Sequence, residues 1–254
     1  MKTARITAAV GCVLLVAACG PSGTKAAPSP SPSTALPAPP ADKGPECVGD
    51  PAAKGLHVLR DGYVQLPGGA GPVLYKEGQG DGATRTAVLT NGTTTGTSQA
   101  GNGTETWPVT AGQTLTVGGG AYTVSQICTY RVVLTPKDQN TVTQPPVPNA
   151  VDPNWPVLTD GRLRLRWHVP DTEKRGAISA VLKNVAADPA RADILVVSQD
   201  GGGASYDDAR VGDTLEFAGR LWKLTVIDVG DGNSNGANPN SGYVDLQLIG
   251  PAGG

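Results

Sequence analysis

Apolar and polar residues alternate with a period of two along much of the chain beyond residue 56. In "RLRLRW", 162–167, the pattern sends Leu163, Leu165 and Trp167 to one face and Arg162, Arg164 and Arg166 to the other. "YVDLQLI", 243–249, groups Val244, Leu246 and Leu248 in the same way. "TLEFAGRLWKLTVI", 214–227, reads as a hairpin turning at Ala218-Gly219. "ADILVV", 192–197, is mostly apolar and suits a central strand. One stretch competes with this picture, because Ile178, Val181, Leu182 and Val185 carry helical spacing. Their counterpart "TAVLTN", 86–91, runs into "NGTTTGTSQAGNGT", which no helix would tolerate, so both segments are read as strands.

The chain also repeats itself. "AGQTLTVGGGAYTVSQI" at 111–127 is answered by "VGDTLEFAGRLWKLTVI" at 211–227. "VLRDGYVQL" at 58–66 matches "VLTDGRLRL" at 157–165, and "TAVLTN" matches "SAVLKN" at 179–184. The offset changes between matches within Gly, Asn and Asp-rich stretches, as insertions confined to loops require. The expected fold is all-β: two tandem small β-sandwich or partly open barrel modules, at 47–137 and 157–252, joined by a Pro-rich connector at 138–156. The match between halves resembles small β-domain families of high-GC bacteria, a resemblance that carries no functional residues. The proline in the connector predicts semi-independent modules.

The N-terminus reads as a processing signal. Lys2 and Arg5 precede an apolar run from Ile6 to Ala18, too short to span a bilayer. Val16-Ala17-Ala18-Cys19 resembles the lipobox of bacterial lipoproteins. By that resemblance residues 1–18 are a lipoprotein signal peptide, and cleavage leaves an acylated Cys19 anchored in the cell membrane on its extracytoplasmic face. The alternative is an ordinary secretory signal cleaved elsewhere. Residues 19–46 form a Pro, Ala and Ser stalk with almost nothing to bury, expected to be disordered and extended. Cys12 falls in the signal, so the exported chain keeps Cys47 and Cys128, two thiols that most simply form one disulfide.

Composition adds exclusions. The net charge of −2 gives no argument for nucleic acid, and 35 Gly and 22 Pro against one Phe and one Met mark a turn-rich chain. No G-x-S-x-G elbow is present, and His57 and His168 have no local triad partners, so no catalytic residue and no cofactor is assigned. Trp222, aligned with Tyr122, is expected in a core; Trp155 can bridge the modules, and Trp107 marks the start of a strand.

The sharpest candidate ligand-binding set is the stripe Arg162, Arg164 and Arg166, with His168 continuing the series. Alternating guanidiniums suit a polyanion, whether an anionic wall polymer, lipid headgroups or an acidic envelope protein. The alignment places Tyr63, Gln65 and Pro67 opposite the arginines, so the fold does not require them. A weaker metal candidate is "DGNSNG", where Asp231, Asn233 and Asn235 follow the opening of a calcium loop, although Gly242 occupies the position of its bidentate Glu. Asp207-Asp208 is the densest acidic pair and reads as a solvated turn, and the Thr-rich 84–106 segment reads as a polar loop with potential glycan acceptors at Asn91 and Asn102. Two functions follow: a non-enzymatic envelope lipoprotein that binds a ligand or partner or serves as an accessory subunit, or a cell-wall hydrolase using dispersed carboxylates.

Overall fold

The computed structural model describes residues 42–67, 71–94, 100–138, 152, 154–199, 203–230 and 242–253. The signal, Cys19, nearly all of the stalk, most of the connector and the Asp231, Asn233, Asn235 loop lie outside these residues. Every regular element among them is a strand. The first half contains β1 (Cys47–Gly49), β2 (Leu56–Leu59), β3 (Tyr63–Gln65), β4 (Pro72–Asp81), β5 (Thr84–Thr94), β6 (Ala100–Thr110), β7 (Thr114–Val117), β8 (Gly120–Cys128) and β9 (Arg131–Pro136). The second contains β10 (Arg162–Arg166), β11 (Asp171–Thr172), β12 (Ile178–Ala187), β13 (Ala190–Ser198), β14 (Gly203–Ala209), β15 (Thr214–Phe217), β16 (Arg220–Asp228) and β17 (Tyr243–Pro251). The helical spacing over 178–185 is therefore overridden, and the Thr-rich segment forms most of the β5–β6 pair.

Each half is two antiparallel sheets enclosing one core. In the first, β1-β8-β9-β2, with β7 on β8, faces β3-β4-β5-β6; in the second, β10-β17-β16-β15 faces β11-β12-β13-β14. Val58, Leu89, Val124, Ile127 and Leu134 meet inside the first half. Leu163, Leu182, Ile194, Trp222 and Leu246 meet inside the second. The hairpins β7–β8 and β15–β16 turn on residues with positive φ at both central positions, Gly118 (56°) and Gly119 (79°), Ala218 (53°) and Gly219 (65°). That is the twist a two-residue hairpin loop requires. Cys47 and Cys128 face each other across β1 and β8 and are joined by a disulfide. Closing a loop of 81 residues stabilises the fold by about 4 kcal/mol on the chain-entropy model.

Strand pairing relates the halves differently from the sequence matches. Only the β7–β8 and β15–β16 blocks keep their aligned partners. The strand that pairs with the last strand is β2 in the first half and β10 in the second, through Leu59↔Arg131 and Arg166↔Tyr243. The next residues, Arg60 and Trp167, form parallel bridges to Tyr75 and Leu182. Asp61 and His168 then adopt φ of 48° and 55° and donate their N–H groups to those same two residues. Structurally, therefore, Arg164 corresponds to His57 and Arg166 to Leu59, and the pairing with Tyr63, Gln65 and Pro67 is corrected. "L-x-DG" is a turn signal that recurs at two different turns, which misled the alignment.

The expectation of semi-independent halves is also corrected. Glu216 on β15 has a side chain only 5% exposed; it accepts a hydrogen bond from His57 Nδ1 at 2.6 Å and one from Arg131 at 2.9 Å. Arg131 also donates to Gln126 Oε1 and to the carbonyl of Ala252, and the Tyr206 hydroxyl spans the Glu216 backbone. Beside this cluster Leu59, Cys128 and Tyr130 join the second core, and Ser205 N–H donates to the Arg60 carbonyl. A Cβ on Gly62 would collide with the Gly203 carbonyl, so the two backbones meet there because Gly62 carries no side chain.

Removing one member of a buried ion cluster strands the others. Glu216→Gln is expected to cost about 3 kcal/mol of unfolding free energy, measured by urea denaturation. Burial pushes the Asp61 carboxyl from 3.8 up to about 6, with Arg60 opposing and Asp207 adding to the rise. The folded state then binds more protons than the unfolded one between those values, so this group makes stability fall as pH rises from about 4 to about 6. Asp61→Asn, compatible with positive φ, should flatten that part of a stability-against-pH curve.

Candidate functional site

Strand β10 is an edge strand whose exposure alternates residue by residue. Leu163 and Leu165 are 1% exposed in the core, which turns Arg162, Arg164 and Arg166 outward. These three arginines line a groove of about 700 Å³ together with Thr159, Val169, Pro170, Asp171, Thr172 and Asp245. Thr159 comes from the tight turn that starts β10, where Thr159 and Arg162 exchange backbone hydrogen bonds. Residues 169–172 form the other wall because the chain, after His168, crosses to the opposite sheet as β11.

The three guanidiniums are not equivalent. Arg164 is held by two charge-assisted bonds, Nε to Asp245 Oδ1 at 2.7 Å and Nη2 to Oδ2 at 2.8 Å, and lies 3.9 Å from the centre of the Tyr243 ring. The bond to Asp245 raises its pKa above the ordinary arginine value. Asp245 is 3% exposed, so Arg164 neutralises a buried carboxylate and stiffens the floor of the groove. Arg162 has only Asp160 nearby, at 3.9 Å and largely solvated. Arg166 has no carboxylate within ion-pair distance among the described residues. Two exposed cations, Arg162 with only a solvated contact to Asp160, thus flank a fixed pair. Thr159 and Thr172 also line the groove, and the Thr172 hydroxyl shares a hydrogen bond with that of Ser179 at 2.9 Å.

The same geometry limits catalysis. Asp245 has both oxygens engaged, and Asp171 Oδ1 accepts the Trp155 indole N–H at 2.7 Å. No histidine lines the groove. His168 leaves the arginine series because its positive φ breaks the strand; its Nε2 donates to the Lys183 carbonyl and its ring meets Trp167 edge-on. Among the described residues no three His, Cys, Asp or Glu side chains gather as a metal site.

Other candidates take different places. Asp207 and Asp208 lie within β14 and not in a turn; Asp208, with φ of 57°, pairs with Arg191 at 3.1 Å, and Lys183 is 3.9 Å from Asp207. Trp155 is 5% exposed, packs against Phe217 and belongs to the second core, and Trp222 stacks on Phe217 from the other side of the hairpin. Trp107 lies inside β6 against the first core, not at a strand start. Sequence reasoning missed Asp171, Asp245 and the two threonines. Asp245 sat on the polar side of the "YVDLQLI" alternation, but its cross-strand partner Arg164 is 81 residues away and only pairing reveals it.

No protein-family model matches this chain, and no curated protein and no solved structure matches it.

Single alanine substitutions should separate the three arginines. Arg164→Ala uncovers the Asp245 carboxylate and is expected to lower the melting temperature most, while Arg162→Ala and Arg166→Ala leave it nearly unchanged, as differential scanning fluorimetry would record.

Proposed function

We propose that this chain is a non-enzymatic binding protein of the bacterial envelope, held to the membrane by a lipid on Cys19, and that the β10 groove binds an anionic ligand. The observation that carries the reading is the groove's charge arrangement: beside an Arg164 already locked to Asp245, Arg162 has only a solvated contact to Asp160 at 3.9 Å and Arg166 has no carboxylate partner among the described residues. Arginine on an edge strand also guards against stray sheet pairing. That role calls for charge alone and explains neither the walled groove nor the lock that orients its floor. Export is supported by the lipobox-like Val16-Ala17-Ala18-Cys19, by the long Pro-rich segment behind it, and by the Cys47–Cys128 disulfide, which persists in oxidising compartments. A hydrolase is the weaker reading, since the groove's carboxylates are engaged by Arg164 and Trp155.

Two measurements test the two parts. Cys19→Ser should move the protein from the membrane fraction to the soluble fraction of an expressing bacterium; unchanged membrane retention refutes the anchor. Arg162→Glu with Arg166→Glu, leaving Arg164 intact, should weaken binding of anionic polymer probes by about tenfold or more, since each lost charge contact is worth on the order of 1 kcal/mol. Equal binding by the parent and the double variant refutes the groove.

A further inference from the structure

The groove has a counterpart in the first half, and there the occupant is visible. Arg60 and Trp167, Asp61 and His168, Tyr75 and Leu182 match one for one in bridge, φ and hydrogen bond, so the outer faces of β2–β9 and β10–β17 are the same surface of the same fold. On the first of these faces His57 and Arg131 grip Glu216, a carboxylate presented by the edge strand β15. On the second face Arg164 occupies the place of His57, and the rung Leu59–Arg131 becomes Arg166–Tyr243. Each rung offers one guanidinium and one apolar or aromatic group, with the strands exchanged. Among the described residues nothing covers the second face: Arg164 is half-exposed, and Arg162 and Arg166 are exposed.

We propose that this second face is a docking site for the carboxylate-bearing edge strand of a separate acidic protein. The inference rests on the reading of the groove as an anion site and names the class of ligand. Backbone chemistry favours a polypeptide over a polyphosphate. At the first face the Arg60 carbonyl accepts the Ser205 N–H from the neighbouring edge strand β14, and Arg131 donates to the Ala252 carbonyl just past β17, so the seated half supplies a backbone donor and a backbone acceptor beside the β15 carboxylate. Trp167 stands where Arg60 stands, and a strand edge can repeat that bond where a phosphate polymer has no N–H to give. A second copy of this chain cannot supply its Glu216 here. Its Glu216 is already buried against its own His57 and Arg131, and the residue matching Glu216 in the first half is Thr116, which carries no charge.

The test titrates the exported chain with three probes: a synthetic β-hairpin peptide bearing glutamates on one face, the same hairpin with glutamines, and inorganic polyphosphate. Binding is followed by fluorescence anisotropy near physiological salt. The glutamate hairpin is expected to bind saturably and about tenfold tighter than the glutamine one. Arg166→Glu should remove that preference with an unchanged circular dichroism spectrum, and a hairpin bearing lysines in place of the glutamates should bind Arg166→Glu better than the parent. Binding of polyphosphate alone, sensitive to Arg166→Glu, overturns the protein-docking proposal and leaves the anion groove standing. Binding of no probe overturns both.

Discussion

The carboxylate of Glu216 is the point on which the arrangement of this molecule turns. It is buried between two sandwiches, and a buried charge persists only where every lone pair is engaged. His57 and Arg131 come from the first half, whereas Tyr206, from the second, fixes the backbone that presents the carboxylate. The three side chains are brought together from strands far apart in the chain, His57 on β2, Arg131 on β9 and Glu216 on β15. The cluster in turn orients one half against the other more sharply than apolar contact between Leu59, Tyr130 and the second core would do.

That choice of orientation decides which surface remains for function. The β10-β17-β16-β15 sheet has two edges. Covering β15 with the first half leaves β10 as the open edge, and its polar side carries the arginines. The internal pair Arg164–Asp245 then does at the groove floor what Arg131–Glu216 does at the junction: it holds a guanidinium in one geometry against a buried carboxylate. At the junction the carboxylate arrives from the other half. In the groove it comes from the neighbouring strand, which leaves the flanking Arg162 and Arg166 without such a partner.

The all-β class, the hairpin at Ala218-Gly219 and the outward arginines of 162–166 were all legible from alternation and turn chemistry. Those signals are local, set by side-chain period and by the φ each turn demands. The matching of halves was legible only in part. The "G-x-TL" blocks align because their hairpin has the same length in both copies. The "L-x-DG" and "AVL" matches are short patterns that any turn and any strand can carry, and they joined segments with different partners. His168 illustrates the same limit: alternation extends the arginine series to it, but the chain leaves the sheet there to reach the opposite layer.

By itself the sequence determined the all-β class, the inner faces of the alternating strands and the hairpin at Ala218-Gly219, because these depend on side-chain period and turn propensity. Tertiary structure alone decided that Glu216 is sealed between the halves, that Asp245 disarms Arg164, and that Arg162 and Arg166 border a groove. Each of these depends on which strands lie side by side. The free energy of a charge is set by the groups that replace its water, and those groups are distant in sequence.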